Sequence, residues 1–314
     1  MLSIKKNQLY LISILITFVF LNYFLVIGNF LLFDKEKLNY NPIDYNVHES
    51  NGDNGTDKIQ TSYINSSTEM FSVFEEHNFN INSFLDDSFG NMVIFSSLPD
   101  DFLKIEPVSV RKDLFIKVIL PIIFIENEKI LKERKKILEW WTEMDGELIA
   151  KEFWPDWLLL VCKEYSYDGN NVGNLLMRVD IVPISMALAQ SAIESGWGTS
   201  RYAREGNAIF GQYTYNKELG LLPKERPKDK NHLIRKFNDI SQSVNSYIKN
   251  LNTHQAYKKF REFRKKMRME GEVIDGSFLL ETMVNYSERK EDYIKDVKEM
   301  IFKNNFQKFD KVYK

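Results

Sequence analysis

The feature that most constrains the fold is an uncharged apolar run near the N-terminus. Residues 9–33 read LYLISILITFVFLNYFLVIGNFLLF and contain no Asp, Glu, Lys or Arg. As a helix, these 25 residues would measure about 37 Å at about 1.5 Å per residue, which exceeds a hydrocarbon core of about 30 Å. We therefore predict one N-terminal transmembrane helix, and a globular body has to be built from the residues that follow it.

Charges on either side of this run predict its orientation. Lys5 and Lys6 precede it and Asp34 follows it, so the positive-inside rule predicts a single-pass protein of the cytoplasmic membrane with its N-terminus inside. The rest of the chain would lie on the periplasmic or extracytoplasmic side. The alternative is a cleaved signal peptide, but the run is longer than a typical signal core and no small-x-small cleavage site follows it.

Charge and composition divide the remaining chain. Residues 34–104 hold 4 Lys/Arg against 13 Asp/Glu, a net charge of −9, whereas residues 105–314 hold 36 against 31, a net charge of +5. Residues 39–68 are polar and lack apolar periodicity, which is typical of a flexible linker. The predicted domains are a cytoplasmic tip with the anchor over 1–33, a flexible acidic tether over 34–91 and a folded domain over 92–314.

The folded domain is predicted to be α+β and predominantly α. Residues 110–141 have the pattern of a long helix that Pro121 kinks. Residues 175–194 predict more helix, with Pro183 in its first turn. Two short strands of a small β lobe are predicted, AIFGQYTY at 208–215 and HLIRKFN at 232–238.

No pattern typical of a metal, disulfide or nucleic-acid site occurs. Cys162 is the single cysteine, and we predict that it is a core residue. His232 and His254 match no metal-ligand spacing, so we predict no metal and no cofactor, and we predict that His254 caps a helix. The basic run at 258–268 is explained by a solvated helix face, so we predict no nucleic-acid partner. The sequence identifies no protein partner.

One acidic residue stands out in the stretch AQSAIESGWG, residues 189–198. Glu194 ends an Ala-rich helical run, and Gly196 can stop that helix in the left-handed conformation. Gln190 and Ser191 lie one turn earlier on the same face, at spacings of four and three. Because this face is built of small or polar side chains, we expect the carboxyl group of Glu194 to open onto a groove.

Two effects predict a raised pKa for Glu194. Contact with Trp197 would desolvate the anion, and the negative end of the helix dipole would repel it. A carboxylic acid that is still protonated near neutral pH can protonate the leaving oxygen of a glycosidic bond, as in lysozyme. The alternative is a structural role in which Glu194 pairs with Arg201 or Arg204.

Four separated stretches together resemble a known family. They are RKDLFIKVILPIIFIENEKIL at 111–131, RVDIVPISMALAQSAIESGWGTSRYAREGNAIFGQYTY at 178–215, NLNTHQAY at 250–257 and NYSERKEDYIKDV at 285–297. With them the chain resembles the glucosaminidase domain of glycoside hydrolase family 73, in its Bax-like branch. Members carry A-Q-A-A-x-E-S-G-W-G-T-S followed by G-N-x-(L/I)-F-G. The resemblance covers roughly residues 92–304.

This resemblance implies a lysozyme-like fold with a small β-hairpin lobe and hydrolysis of the β-1,4 bond after N-acetylglucosamine in peptidoglycan glycan strands. The domain also carries the name of a mannosyl-glycoprotein endo-β-N-acetylglucosaminidase. The family's catalytic general acid falls on Glu194. Its catalytic tyrosine, in a Y-(A/S)-x-(D/E)-x-x-Y segment, falls on Tyr286, with Glu288 and Tyr293 in the same segment.

Other residues in these stretches are candidates for binding sugar. Asn207 and Gln212 can hydrogen-bond acetamido or hydroxyl groups, although Asn207 after Gly206 is also an ordinary turn pair. A residue such as Phe210 is more often core than sugar platform. The aromatic candidates are Trp197, Phe210, Tyr213 and Tyr215, of which the last two share a predicted strand face.

A second catalytic carboxylate is less clear. Glycosidases usually place two carboxylates about 5 Å apart for retention or about 6.5–9.5 Å apart for inversion. Glu225, between the predicted strands, and Glu288 are candidates, but each is equally explained as a solvated or paired charge. The substrate's own acetamido group can act as nucleophile instead, and Tyr286 would then orient that group or the attacking water.

Two other functions stay open on the sequence alone. One is a non-catalytic peptidoglycan-binding or scaffold domain on the same fold, against which the presence of both Glu194 and Tyr286 argues. The other is a wall hydrolase that cleaves a different bond, either a lytic transglycosylase or an amidase.

Overall fold

The computed structural model describes residues 46–48, 58–62, 64–85, 92–144, 149–223 and 232–313. The predicted membrane anchor and Glu225 lie outside these described residues. Within them, no helix combines the length and the apolarity needed to cross a bilayer.

Helices make up most of the described chain, and short strands form two small sheets. The helices are α1 (Ser67–Glu76), α2 (Val108–Glu143), α3 (Asp156–Glu164), α4 (Val172–Leu175), α5 (Ile184–Ser195), α6 (Arg201–Gly206), α7 (Ile240–Thr253), α8 (Lys258–Met269), α9 (Gly276–Leu279) and α10 (Lys290–Lys303). The strands are β1 (Asn46–His48), β2 (Lys58–Ser62), β3 (Val93–Phe95), β4 (Tyr213–Thr214), β5 (Gly220–Leu221) and β6 (Leu233–Arg235).

The two sheets differ in direction. Strands β4, β6 and β5 form an antiparallel sheet with β6 in the centre, at the place where the sequence predicts a β lobe. Strands β1, β2 and β3 pair in parallel, and this sheet was not predicted. The mostly helical chain with a small antiparallel sheet confirms the predicted α+β class, whereas the lysozyme-like fold stays a prediction.

Helix α2 is the long predicted helix, and its first half lies in the core. Pro121 lies inside the helix without ending it. Six residues further on, the buried side chain of Asn127 donates to the Val182 carbonyl at 2.8 Å and accepts from the Val182 amide at 3.0 Å. This two-way bond holds the segment that leads into α5 against α2.

The start of α5 is held by the C-terminal segment. The sequence predicted Pro183 in the first turn of a helix, and the structure places it one position earlier, as the N-cap of α5. The buried carboxyl group of Asp310 accepts from the backbone N–H of Ser185 at 2.8 Å, from its hydroxyl at 2.6 Å and from the N–H of Gly276 at 2.9 Å. A side chain at Gly276 would clash, because a Cβ there would lie 2.2 Å from the Ser185 hydroxyl oxygen. The other end of α5 carries Glu194.

The described part of the predicted tether is folded, which corrects the boundary at residue 92. Helix α1 buries Met70 and Phe74, and Phe84 is also in the core. Asp101 fastens the start of α1 by accepting from the backbone N–H and the hydroxyl of Ser67, both at 2.8 Å. Met70 and Phe74 are four residues apart and share one helix face, a signal too short to stand out in a polar, acidic segment.

Candidate active site

Glu194 lies in the last turn of α5, at the side of an open groove. Gly196 ends the helix with φ +59°, in the left-handed conformation predicted for it. The groove has a volume of about 1390 Å³ and is lined by Glu194 together with residues from β4, α7 and the turn before α10. The carboxyl group is half-buried, and its Oε1 accepts a hydrogen bond of 2.7 Å from the hydroxyl of Tyr293.

The electrostatic environment of Glu194 favours the protonated acid. Burial raises the pKa of Glu194 above its ordinary value, while the Tyr293 hydrogen bond and the Arg289 guanidinium oppose that rise. The predicted direction of the pKa is thus confirmed. The alternative ion pair does not form, because Arg201 pairs with Glu205 at 3.0 Å and Arg204 donates to the carbonyl of Thr199.

Behind Glu194 lies a chain of buried hydrogen bonds. The Tyr247 hydroxyl donates to Oε1 of Gln190 at 2.6 Å, and Nε2 of Gln190 donates to the Tyr293 hydroxyl oxygen at 3.1 Å. Tyr293 in turn donates to Glu194. The sequence placed Gln190 on the face of Glu194 but gave no sign of Tyr247, which comes from α7, far along the chain.

Tyr286 lies in an aromatic cluster beside the acid. Its ring stacks on that of Tyr293, with centroids 5.5 Å apart and planes at 19°, and meets the ring of Tyr247 edge-on at 6.5 Å. Burial raises the pKa of Tyr286 well above its ordinary value, and the nearby Tyr293 and Glu194 act in the same direction. The hydroxyl therefore stays protonated, and no described residue hydrogen-bonds it, so it can donate to a bound substrate.

Three further predicted residues line the groove. Phe210 is buried and stacks on Tyr247, with centroids 3.9 Å apart and planes at 6°. It is therefore a core residue that also lines the groove. Gln212 carries a buried Oε1 that has no hydrogen-bond partner among the described residues. Tyr213 is 65% exposed at the rim, with its ring 4.2 Å from that of His232.

Two predicted aromatic platforms do not line the groove. Trp197 has a left-handed backbone conformation, with φ +57°. Its ring packs edge-on against Phe115 of α2 and lies under the ammonium group of Lys112. Tyr215 is 80% exposed and follows β4, which ends at Thr214. The strand is too short for the predicted pairing of Tyr213 and Tyr215 on one face.

Asn207 also differs from its predicted sugar-binding role. It adopts a left-handed conformation with φ 49° at the end of α6. Its buried amide donates to the carbonyls of Phe237 at 3.2 Å and Asn238 at 3.1 Å. Asn207 therefore connects α6 to the chain after β6, which corresponds to the turn role that the sequence left open.

Other carboxylates line the same groove. Glu288, a candidate from the sequence, is exposed there. Glu126 of α2 is buried and accepts from Nδ2 of Asn245 and from Nζ of Lys129, both at 2.6 Å. Sequence reasoning missed Glu126 because it lies in a long helix, at the point where an apolar stretch gives way to a charged one, so its charge drew no attention.

One wall of the groove is the polar face of α7. Most side chains on this face end in an uncharged amide or hydroxyl group, and one is a lysine. They are Gln242, Asn245, Ser246, Lys249, Asn250 and Thr253. The opposite face of α7 is buried and apolar, which fixes the polar face toward the groove. His254 follows it and accepts from the backbone N–H of Ala256 at 3.2 Å, so its predicted capping role is confirmed.

Comparison with known proteins identifies similar sequences. A family model described as mannosyl-glycoprotein endo-beta-N-acetylglucosaminidase, named Glucosaminidase, matches residues 170–306. The chain is 32% identical over 211 residues to "Protein bax" of Escherichia coli (strain K12), an alignment that covers 63% of this chain and 71% of that protein. No solved structure matches the chain. The region matched by the family model contains Glu194, Tyr286 and Tyr293.

Proposed function

Since the chain belongs to the Bax-like branch of the glucosaminidase family, we propose that it is a peptidoglycan hydrolase that cleaves the β-1,4 glycosidic bond after N-acetylglucosamine. Membership supports a glycan hydrolase in general. The bond, the substrate polymer and the residue roles are our proposal. No cofactor takes part, because the reaction transfers a glycosyl group to water and needs only proton donors and positioning groups.

The observation that carries this proposal is the environment of Glu194. Its carboxyl group lies at an open groove, burial raises its pKa, and one of its two oxygens has no hydrogen bond to any described residue. A neutral carboxyl group in that position can give its proton to the oxygen of a departing sugar. Glu194 is therefore the general acid of the proposed reaction.

Tyr286 is the second catalytic residue of the proposal. Its hydroxyl stays protonated beside Glu194 and has no partner among the described residues. It orients the acetamido group of the substrate, or the attacking water, while positive charge develops at the anomeric carbon. Tyr293 supports the acid through its hydrogen bond, and Glu288 is a groove residue without an assigned step.

Sugar binding is proposed along the walls of the groove. Gln212 offers a buried amide, Tyr213 offers an exposed ring at the rim, and Phe210 supports the floor from below. The amide and hydroxyl side chains on the polar face of α7 supply further hydrogen-bonding groups for hydroxyl and acetamido groups. Charged side chains of both signs also line the groove, and the neutral amide and hydroxyl groups among them are the donors and acceptors that we propose for the sugar.

We further propose that the protein is anchored in the cytoplasmic membrane by residues 9–33, with its N-terminus inside and the groove on the periplasmic or extracytoplasmic side. Protease added from outside should then remove residues 105–314 and leave the N-terminus in the membrane fraction. Recovery of a fully soluble protein that begins after Phe33 would instead support a cleaved signal peptide.

The proposed bond is tested by digesting purified peptidoglycan with the full-length protein and identifying the fragments by mass spectrometry. A reducing N-acetylglucosamine end is the expected result, and Glu194→Gln is the negative control. 1,6-Anhydro ends would identify a lytic transglycosylase, and freed stem peptides would identify an amidase. Binding to insoluble peptidoglycan without any fragments would identify a non-catalytic binding domain.

A further inference from the structure

In the buried hydrogen-bond chain behind Glu194, every group donates its proton toward Glu194. An amide oxygen accepts and an amide nitrogen donates. Oε1 of Gln190 accepts from Tyr247 at 2.6 Å, so the amide presents Nε2 to the Tyr293 oxygen at 3.1 Å. The single proton of the Tyr293 hydroxyl is then left to donate to Oε1 of Glu194, at 2.7 Å.

Tyr247 disfavours the opposite orientation of this hydrogen-bond chain. If the amide of Gln190 turned over, its oxygen would face Tyr293, and the Tyr293 hydroxyl would donate to Gln190 instead of Glu194. The Tyr247 hydroxyl would then meet an N–H group and lose its acceptor in a fully buried position, which is unfavourable. Tyr247 cannot move away easily, because its ring is stacked on that of Phe210 with centroids 3.9 Å apart.

This direction makes the two oxygens of Glu194 different. Oε1 is occupied as the acceptor of the Tyr293 hydrogen bond. Oε2 has no hydrogen bond to any described residue, and it lies near Gly211, where an added Cβ would be 3.9 Å away. Gly211 has φ +60° and lines the groove. Oε2 is therefore the oxygen that faces the groove.

We propose that Tyr247 and Gln190 are positioning residues that act through Tyr293 to keep the acidic proton of Glu194 on Oε2, the oxygen facing the groove, and away from Oε1. In the reverse direction, a protonated Oε1 would donate to Tyr293, and the proton would point into the protein. The use of that proton on a glycosidic bond rests on the proposed function, whereas the direction of the chain does not.

Other charged and titratable groups also face Glu194 or its groove. Arg289 stands at the entry to α10 and lowers the pKa of Glu194, and Tyr286 precedes it in the same segment. Glu288 lines the groove from that turn, and Glu126 lines it from α2. A change of Tyr247 to Phe removes none of these groups and introduces no charge, so an effect on the titration of Glu194 reports on the hydrogen-bond chain.

The first test is the titration of Glu194 in full-length protein with 13C-labelled glutamate carboxyl groups, followed by NMR. The Glu194 signal is identified by its absence in Glu194→Gln. Tyr293 stabilises the anion, so Tyr293→Phe should raise the pKa of Glu194. Tyr247→Phe should also raise it, because Tyr293 then donates to Gln190 for part of the time. An unchanged pKa in Tyr247→Phe would overturn the proposal.

Tyr167→Phe is the matched control. It also removes one tyrosine hydroxyl, which donates to the Asn171 carbonyl at 2.8 Å, and Tyr167 does not line the groove. We expect it to leave the titration of Glu194 unchanged. An equal shift in both variants would show a general loosening of the fold and would contradict the specific role of Tyr247.

A measurement on the wild-type protein covers the case in which Tyr247→Phe does not fold. The side-chain NH₂ of Gln190 should give nuclear Overhauser effects to the ring protons of Tyr293. Effects to the ring of Tyr247 in their place would mean that the amide has the opposite orientation, and the proposal would fail without any variant.

The kinetic test separates this inference from the proposed function. On peptidoglycan, Tyr247→Phe should lower kcat by about threefold to tenfold, as expected for one lost hydrogen bond, with KM unchanged. The high-pH limit of activity should move upward with the pKa of Glu194. If wild-type protein releases no fragments, the proposed function fails, while the two NMR measurements still decide the direction of the chain.

Discussion

One carboxyl group lies just before α5 and another in its last turn, and their surroundings shift their pKa values in opposite directions. At Asp180, burial alone would raise the pKa, but the guanidinium groups of Arg268, Arg134 and Arg264 hold it well below its usual range. At Glu194, burial raises the pKa, and the opposing contributions of one hydroxyl and one guanidinium are smaller. Asp180 is thus an anion in an ion cluster, and Glu194 is an acid that keeps its proton to a higher pH.

The difference shows that burial of a carboxyl group does not by itself indicate catalysis. Arg268 binds Asp180 through two hydrogen bonds, of 2.9 and 2.5 Å, and Arg264 also donates to backbone carbonyls before α5. The cluster therefore joins α8 to the segment that leads into α5. Glu194, which lacks such a cluster and opens on the groove, is the one suited to proton transfer.

The largest effect is expected from Asp180→Asn. It leaves the charges of the surrounding arginines without a carboxylate in the interior, so the free energy of unfolding should fall by about 3–5 kcal/mol. Urea denaturation measures this loss. Glu205→Gln is the matched control, because it breaks the surface pair with Arg201 and should cost less than about 1 kcal/mol. Equal losses would mean that the buried cluster carries no special stability.

Glu194→Gln should act on catalysis and leave stability nearly unchanged. Turnover should fall at least about 100-fold, because the variant has no proton to donate. The wild-type rate should fall as the pH rises through the raised pKa of Glu194, since the acid must be protonated, and this limit should be absent from the residual activity of the variant. Activity near wild type with an intact fold would remove Glu194 from the mechanism.

Among the other candidate catalytic residues, Tyr286→Phe should have the largest effect on turnover. We expect a loss of about tenfold, as for one hydrogen bond that matters in the transition state. Glu288→Gln should cost less, because that side chain is exposed at the groove, and so should Glu225→Gln. A loss for Glu225→Gln as large as that for Glu194→Gln would replace substrate assistance by a second carboxylate.

How much the sequence predicts depends on how local the signal is. The helix that ends within one residue of Glu194 and the left-handed Gly196 follow from neighbouring residues, and the structure agrees. The direction of the pKa shift at Glu194 also agrees, but its main cause is burial, and the predicted contact with Trp197 is replaced by packing of that ring on Phe115. Trp197 and Tyr215 were expected beside the sugar, but the direction of a side chain after a turn depends on φ and on strand length. These quantities are set by packing on distant elements.

Contacts between distant elements could not be predicted. Tyr247 and Glu126 reach the groove from α7 and α2, and in sequence each is an ordinary position of an amphipathic helix. The folding of α1 on the core was missed for a related reason, since Met70 and Phe74 offer only one turn of apolar face. Family resemblance supplied Tyr286 and Tyr293, for which the residue pattern alone gave no role.

Another buried carboxyl group, Asp310, sharpens the comparison because it has hydrogen-bond donors but no cationic partner among the described residues. Burial raises its pKa to about 7, although Ser185 and Gly276 donate to it. An unfolded Asp titrates at about 3.9, so between about pH 4 and pH 7 the folded state binds more protons. Stability should therefore fall as the pH rises through this window, by at most about 1.4 kcal/mol per pH unit.

Urea denaturation between about pH 4 and pH 7 should show this slope of stability against pH in the wild type and its loss in Asp310→Asn. An unchanged slope would mean that the donors from Ser185 and Gly276 outweigh burial and keep Asp310 ionised, as the arginines do for Asp180.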